Sequence, residues 1–198
     1  MNHRLIATAA LSLLSLGAFA QNATDTTVQR DLNQQTRIER GLQDGSVTSR
    51  EASRLEQEQA HIDRLQARDM KDGKLSPAER AQLRAAQDKA SRDIELAKHN
   101  GVNENPLSGS SQRMQADVQR NVNQQRRIEA GLQNGSLTHR EAAKLEHGQA
   151  RVDHQESLAA RDGRVGPAEQ RAVQRSENRQ SRRIFREKHD AQHQGSES

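Results

Sequence analysis

Residues 41–52 read Gly-Leu-Gln-Asp-Gly-Ser-Val-Thr-Ser-Arg-Glu-Ala, and the same pattern returns ninety positions later, at 131–142, as Gly-Leu-Gln-Asn-Gly-Ser-Leu-Thr-His-Arg-Glu-Ala. Around this pair, residues 28–100 align without a gap on residues 118–190, with 33 of 73 positions identical. The chain is therefore a tandem duplication, and what the pattern predicts for one copy it predicts for the other.

Each quoted stretch combines a signal that ends one helix with a signal that begins the next. Gly45 suits the left-handed conformation that follows a helix, and Thr48 with Glu51 three residues later is typical of a capping box. We expect Val47, between the two caps, to turn inward and fill the gap between neighbouring helices. A weaker boundary of the same kind follows in each copy, at residues 71–79 and 161–169.

Apolar residues at helical spacing predict three amphipathic helices in each copy. In the first copy these residues are Val28, Leu32, Ile38 and Leu42, then Leu55, Ile62 and Leu65, then Leu83 and Ile94. Short connections favour antiparallel neighbours. The predicted fold class is all-α: a tandem pair of three-helix units, or helical hairpins with EF-hand-like turns. The expected divisions are a signal peptide (1–20), repeat 1 (26–100), a flexible linker (101–117), repeat 2 (118–190) and a disordered tail (191–198).

The N-terminus has the pattern of a secretory signal peptide: a basic start, an apolar run and a small-x-small site at residues 18–20. No later stretch approaches the roughly 20 apolar residues of a membrane span. The absence of cysteine excludes a disulfide-stapled fold and a lipid-anchored cysteine. We expect an exported protein located in the periplasm, with no membrane span once the signal peptide is removed.

The composition bounds the function further. With two Phe and no Trp or Tyr the core must be thin, although the formal charge of only +4 argues against a disordered chain. Basic and acidic residues alternate along the helices, a pattern typical of solvated faces and not of a nucleic-acid site. No residue set for catalysis and no phosphate-binding loop is present, so we expect neither an enzyme nor a nucleic-acid partner. A thin core often recruits a protein partner, which leaves a homodimer open.

The turn carboxylates are the first candidate metal ligands. The repeated Asp-Gly-x-(Leu/Val)-(Ser/Thr)-x-x-Glu spacing matches the back half of an EF-hand loop, whereas the acidic first and third positions of such a loop are missing. Cap chemistry accounts for each residue of the motif, so we favour capping over calcium binding. The candidate calcium ligands are Asp44, Glu51, Asp72, Glu79, Asp162 and Glu169.

A histidine pair is the second candidate. His189 and His193 are four residues apart, a spacing that places two imidazoles on one helical face, where they can bind copper, nickel or zinc. No cysteine or cluster of methionines accompanies them. We favour exposed polar residues over a transition-metal site at this position.

Signal peptide, missing cysteines and paired Gly-x-x-x-Gly-x-(Leu/Val)-Thr-x-x-Glu-Ala motifs together resemble a group of uncharacterised proteobacterial periplasmic proteins with degenerate EF-hand-like helical repeats. The resemblance covers both repeats and implies export and helical structure. A looser similarity exists to periplasmic chaperones of the Spy and CpxP type. Our leading hypothesis is a non-enzymatic periplasmic binding or envelope-stress protein. The alternatives are a weak Ca2+ or Cu/Zn-binding protein and a chaperone.

Overall fold

The structure is a computed structural model that describes the backbone of residues 16–190 and the side chains of residues 26–190. Within residues 16–190 the chain forms six α-helices and no strand, which confirms the all-α prediction. The helices are α1 (Leu16–Asp44), α2 (Ser49–Asp69), α3 (Pro77–His99), α4 (Gly109–Gln133), α5 (His139–Ala159) and α6 (Pro167–Glu187).

Reciprocal capping boxes begin the helices α2, α3 and α5, as the repeated motif predicts. At α2 the Thr48 hydroxyl accepts a hydrogen bond from the Glu51 amide at 3.2 Å, and the Glu51 carboxylate accepts one from the Thr48 amide at 2.9 Å. At α6 the N-cap is Gly166, which has no side chain, so only the Glu169 carboxylate completes its half of the pattern. Each turn thus satisfies backbone N–H groups that a helix start leaves without partners.

A glycine one turn before each quoted boundary makes room for the buried aliphatic residue that follows. Val47 is fully buried, as predicted, and its amide donates to the Gly41 carbonyl at 2.9 Å. In the second copy Leu137 repeats this contact with Gly131, where a Cβ atom would lie only 2.5 Å from Leu137 Cδ1. The spacing from the glycine to the buried aliphatic residue is therefore the same in both copies because of a packing constraint: the helix end must leave room for Val47 or Leu137.

The helices α2 and α5 form the centre of the molecule, where they pack against each other more extensively than any other pair. The helices α1 and α4 also pack together, while α3 and α6 each lie against the other two helices of their own repeat. Ser53, near the start of α2, donates to the carbonyl of Ser157, near the end of α5, at 2.7 Å. The two central helices therefore run antiparallel, and the repeats are related by an approximate two-fold axis between them.

Two apolar clusters hold the ends of the molecule together, and each draws residues from both repeats. One cluster joins Val28, Leu65 and Leu83 of the first repeat to residues of the second that include Ile128 and Leu145. The other mixes the repeats in the same way around residues such as Ile38 and Met114. The two three-helix repeats thus share their cores and do not form separate hydrophobic units.

The predicted linker, 101–117, is wrong in its second half. The helix α4 begins at Gly109, because the Ser108 hydroxyl accepts a hydrogen bond from the Ser111 amide at 3.1 Å and the apolar pattern resumes at the buried Met114. The remaining connection is held at the first turn by Glu104, whose amide donates to the Gly45 carbonyl at 3.0 Å.

Both predicted end segments extend beyond the described residues. Residues 1–15 of the expected signal peptide and the expected tail, 191–198, lie outside them. The helix α1 begins at Leu16, upstream of residue 26, where we expected the first repeat to start.

We expect Gly131→Ala to lower the free energy of unfolding by about 1–3 kcal/mol, the usual cost of overpacking a well-packed site. Chemical denaturation followed by circular dichroism measures this change. Gly109→Ala is the matched control, because its Cβ would make only ordinary contacts with the Arg113 side chain at 3.5 Å or more. Equal stability of the Gly131 variant and the wild type would contradict the packing constraint.

Candidate functional site

A layer of acids and amides lies between the two apolar clusters, and we call it the central polar layer. On α2 the residues Glu56 and Asp63 are seven positions apart, two helical turns, next to the buried Leu55 and Ile62, so both face the opposite repeat. Every member of the layer is at most 4% exposed. The members are Asp31, Gln34, Gln35, Glu56, Gln59, Asp63, Gln66, Asn121, Gln124, Gln125, Glu146, Gln149, Asp153 and Glu156.

Three of these acids converge across the α2–α5 interface. Carboxylate oxygens of Glu56, Asp153 and Glu156 all lie within 4.8 Å of one another, and we call these residues the carboxylate triad. The Asn121 amide donates to Asp153 at 2.9 Å and to Glu156 at 2.7 Å, while the Gln35 amide donates to Glu56 at 2.9 Å. These amides hold one oxygen of each acid and thereby fix the direction of the triad.

Several buried oxygens of this site accept no hydrogen bond. They include Oε1 of Glu56, Oε1 of Glu156 and Oε1 of Gln35, the amide that already holds Glu56 through its nitrogen. Within residues 26–190 no Lys, Arg or His side chain is buried, so no protein cation lies inside the layer to neutralise its acids. Buried acceptors without donors are costly, so the arrangement calls for protons or a cation.

The two-fold axis places a related set of acids on the other side of the layer. There Glu146 accepts from Gln125 at 3.2 Å, and Gln66 donates to Asp31. Asn121 occupies the repeat position of Asp31, and Glu156 that of Gln66, so each copy keeps one acid and one amide but exchanges their places. The Asp63 and Asp153 carboxyl groups are neighbours between the two sets.

Burial sets the protonation of the layer. Loss of hydration raises the pKa of Glu56 and of Asp31 to about 7, and that of Glu146 to about 8. The pKa of Asp153 and of Glu156 is raised well above the usual range, first by burial and then by neighbouring carboxylates, Glu56 first among them. Like charges this close do not all ionise together, so the layer holds protons at neutral pH unless another cation replaces them.

A second buried pair of acids lies between α4 and α6. Burial raises the pKa of Asp117 to about 7 and that of Glu177 to about 8, although Arg120 Nη1 lies 3.1 Å from Glu177 Oε2 and opposes the shift. In the first repeat Thr27 and Gln87 occupy these two positions. The acids at this place are therefore a feature of the second copy alone.

The structure places the six predicted turn ligands at three separate corners. In each turn the Asp carboxylate accepts the amide of the residue two positions on, as Asp72 does from Lys74 at 2.9 Å, and the Glu carboxylate accepts the N-cap amide. None of the six belongs to a group of three acids or histidines with mutually close ligand atoms in the described chain. Calcium binding at Asp44, Glu51, Asp72, Glu79, Asp162 and Glu169 stays a prediction.

Of the two candidate histidines, His189 and His193, the structure describes the first. His189 stacks on Phe185, with ring centroids 4.1 Å apart, and its Nδ1 lies 2.7 Å from the Phe185 carbonyl. His193 lies outside the described residues. Glu141, Glu187 and Asp190 form a second group of close carboxylates near this end of the molecule, but Asp190 is exposed and the group is open to water.

Sequence reasoning did not predict that the polar residues Gln34 and Gln35 of the first helix are buried. It also missed the acids of α2 and α5. A signal was present: Glu56, Gln59 and Asp63 are identical in both copies and follow the helical spacing of the apolar residues. Hydrophobicity alone cannot show that a polar residue faces a core, because the usual polar helical face is solvated.

Comparison with known proteins adds no relative: no family model matches the chain, no curated protein matches its sequence, and no solved structure matches its fold. None of the helices between residues 16 and 190 combines the length and apolar character of a membrane span.

We predict that the metal-free protein loses stability as the pH rises from 5 to 8. An acid whose pKa is higher in the folded than in the unfolded chain binds more protons when folded, so its stabilising effect is lost as the pH passes its folded pKa. Burial raises the pKa to about 7 for Asp31 and Asp117, and to about 8 for Glu146 and Glu177. Each pKa unit between the folded and unfolded values corresponds to about 1.4 kcal/mol of stability. In chelator-treated buffer the melting temperature should fall between pH 5 and pH 8, by about 3–6 °C for each pKa unit that is realised as stability.

Glu177→Gln supplies the control for this prediction, because the first repeat carries Gln87 at the same position. The variant should melt near the wild type at pH 5 and above it at pH 8. A wild-type melting temperature that rises between pH 5 and pH 8 would contradict the origin assigned to these shifts.

Proposed function

We propose that the protein is an exported, non-enzymatic helical binding protein whose ligand is a hard divalent cation, Ca2+ or Mn2+. The observation that carries the proposal is the carboxylate triad, Glu56, Asp153 and Glu156, buried between the two repeats. The signal-peptide pattern at the N-terminus supports an exported location. A role in the response to envelope stress is the hypothesis that the periplasmic resemblance favours.

The spacing of the triad suits one cation. Oxygen ligands lie 2.3–2.6 Å from Ca2+, so two ligands of the same ion are at most about 5 Å apart. The triad oxygens meet this limit, since all lie within 4.8 Å of one another. Free oxygens on Glu56 and Glu156 leave ligand positions that no donor of the protein occupies.

The donor type favours one class of metal. The triad and its supporting amides offer only oxygen ligands, which suit Ca2+, Mg2+ and Mn2+, whereas Cu2+ and Zn2+ prefer imidazole and thiolate. Mg2+ retains several waters and demands a strict octahedron, which an enclosed side-chain site does not readily supply. These properties favour Ca2+ over Cu2+ or Zn2+. The site that they favour is the carboxylate triad and not the turns between helices.

Protons and the cation compete for the same oxygens. Carboxylates must be ionised to bind a metal. Because burial raises the pKa of all three acids, cation binding should weaken at low pH. Because Glu56 belongs to the first repeat and Asp153 and Glu156 to the second, a bound cation would tie α2 to α5. Binding would then tighten the contact between the repeats.

The chaperone alternative has less support. A holdase needs a contiguous apolar surface, whereas the large apolar side chains that are exposed in residues 26–190 are dispersed along the chain. They are Leu96, Val102, Leu107, Leu158 and Phe185.

Calorimetric titration of the metal-free chain with CaCl2 and with MnCl2 tests the proposal. We expect saturable binding at pH 8 that weakens at pH 6, and at least tenfold weaker binding for Glu156→Gln. That variant introduces the residue that the first repeat carries at position 66, where it is buried in the same layer. Its fold should therefore survive, which a melting curve at pH 6 verifies.

Two further variants locate the cation. Glu58→Gln, on α2 but paired with Lys89 of α3, should bind as the wild type does. Asp72→Asn/Glu79→Gln removes the carboxylates of one predicted calcium turn and should also leave binding unchanged. Loss of binding in the turn variant with full binding by Glu156→Gln would overturn the central site, as would the absence of any saturable heat at pH 8.

A further inference from the structure

Arginines line one open groove of the second repeat, and we call it the arginine groove. It extends over α5 and α6 to the end of α2, encloses about 1000 Å³, and adjoins a smaller hollow with which it shares Arg151, Arg183 and Arg186. Glu187 is the one carboxylate among the described residues that line the two hollows. The argument rests on six cations: Arg64, Arg151, Arg179, Arg182, Arg183 and Arg186.

These six guanidinium groups lack acidic partners. None of them forms an ion pair or a side-chain hydrogen bond with any residue of the described chain, and all but the half-buried Arg183 are exposed. Glu187, the acid of the groove, lies 4.0 Å from Lys144 instead. A concave surface lined by one sign of charge focuses its field and concentrates ions of the opposite sign.

The first repeat shows what this groove looks like without that charge. At the corresponding place between α2 and α3, Lys89 lies 2.5 Å from Glu58 and 2.6 Å from Asp93, so its charge is neutralised on both sides. The second repeat has Arg179 at the position of Lys89, Gly148 at that of Glu58 and Arg183 at that of Asp93. Both counter-charges have been lost, and one of them has been replaced by a further cation.

Gly148 also changes the shape of the site. It is buried against Gln180, whose amide donates to the Leu145 carbonyl at 2.8 Å, and a Cβ at position 148 would collide with that side chain. An acid at this position, as Glu58 is in the first repeat, would require Gln180 to move. The first repeat has a hollow at the corresponding place, but Glu58 and Asp93 line it and Leu96 stands where the second repeat has Arg186.

We propose that the arginine groove binds the phosphate groups of a linear polyanion. The planar guanidinium fork matches phosphate oxygens in pairs, and several such groups in a row suit a chain that repeats its phosphates. A concave site made of two adjoining hollows fits a chain and not a flat bilayer. Among the described residues no Phe, Tyr or Trp side chain lines the two hollows, so the groove offers no large ring for stacking on bases.

Titration of the full chain with inorganic polyphosphate tests this inference independently of the central cation, in buffer that contains a chelator. We expect binding that weakens steeply as salt rises. Arg183→Asp/Arg186→Leu should weaken it at least tenfold. Both changes introduce the residues of the first repeat, Asp93 and Leu96, at the same helical positions, so the fold should be kept.

Arg54→Asp/Arg92→Leu is the matched control, because it makes the same substitutions and the same change of net charge on the first repeat. It should bind polyphosphate within twofold of the wild type. Equal weakening in both variants would overturn the groove in favour of net charge alone, and so would the absence of binding by the wild type. The single variant Arg179→Gln, at an exposed position, should weaken binding as well if the double variant fails to fold.

Two other probes identify the source of the phosphates. Binding of a single-stranded oligonucleotide as well as polyphosphate would support recognition of a phosphate chain, and the tighter of the two would name the preferred backbone. Sedimentation with phosphatidylglycerol vesicles in the absence of polyphosphate binding would overturn the proposal, because it would assign the charge to a membrane surface.

Discussion

Acids removed from water must be neutralised, and the centre of this protein depends on how that is done. The helices α2 and α5 meet along a face on which apolar residues occupy the ends and carboxylates the middle. Asp63 and Asp153 form a pair between the repeats, with Glu56 and Glu146 on either side of it. Whatever neutralises these groups also joins the repeats, since the acids of each copy face those of the other.

The duplication explains why the layer is symmetrical in position but not in charge. Each repeat contributes one acid and one amide to the pairs formed by Asp31 with Gln66 and by Asn121 with Glu156, in opposite order. The same divergence acts on the surface, where a neutralised groove in one copy corresponds to an arginine groove in the other. A second copy lets one side of a fold keep its packing while the other side acquires new charge.

Much of the fold could be predicted from the sequence because its signals are local. Capping at Thr48 and the inward position of Val47 both depend on residues within one or two turns, and both were confirmed. The central polar layer could not be predicted in this way, because the burial of Glu56 is decided by a helix ninety residues away. Gln34 and Gln35 are held by groups on α3 and α2 that the pattern of α1 does not reveal, and their identity in the two copies was the available indication.

Anomalous diffraction from crystals grown with Mn2+ at pH 8 tests the account most directly. A cation that replaces protons between the repeats should give an anomalous peak within about 2.5 Å of carboxylate oxygens of Glu56 and Glu156. A peak at a turn, beside Asp72 or Asp162, with none between α2 and α5, would contradict the account. So would a fully protonated central layer that excludes the metal at that pH.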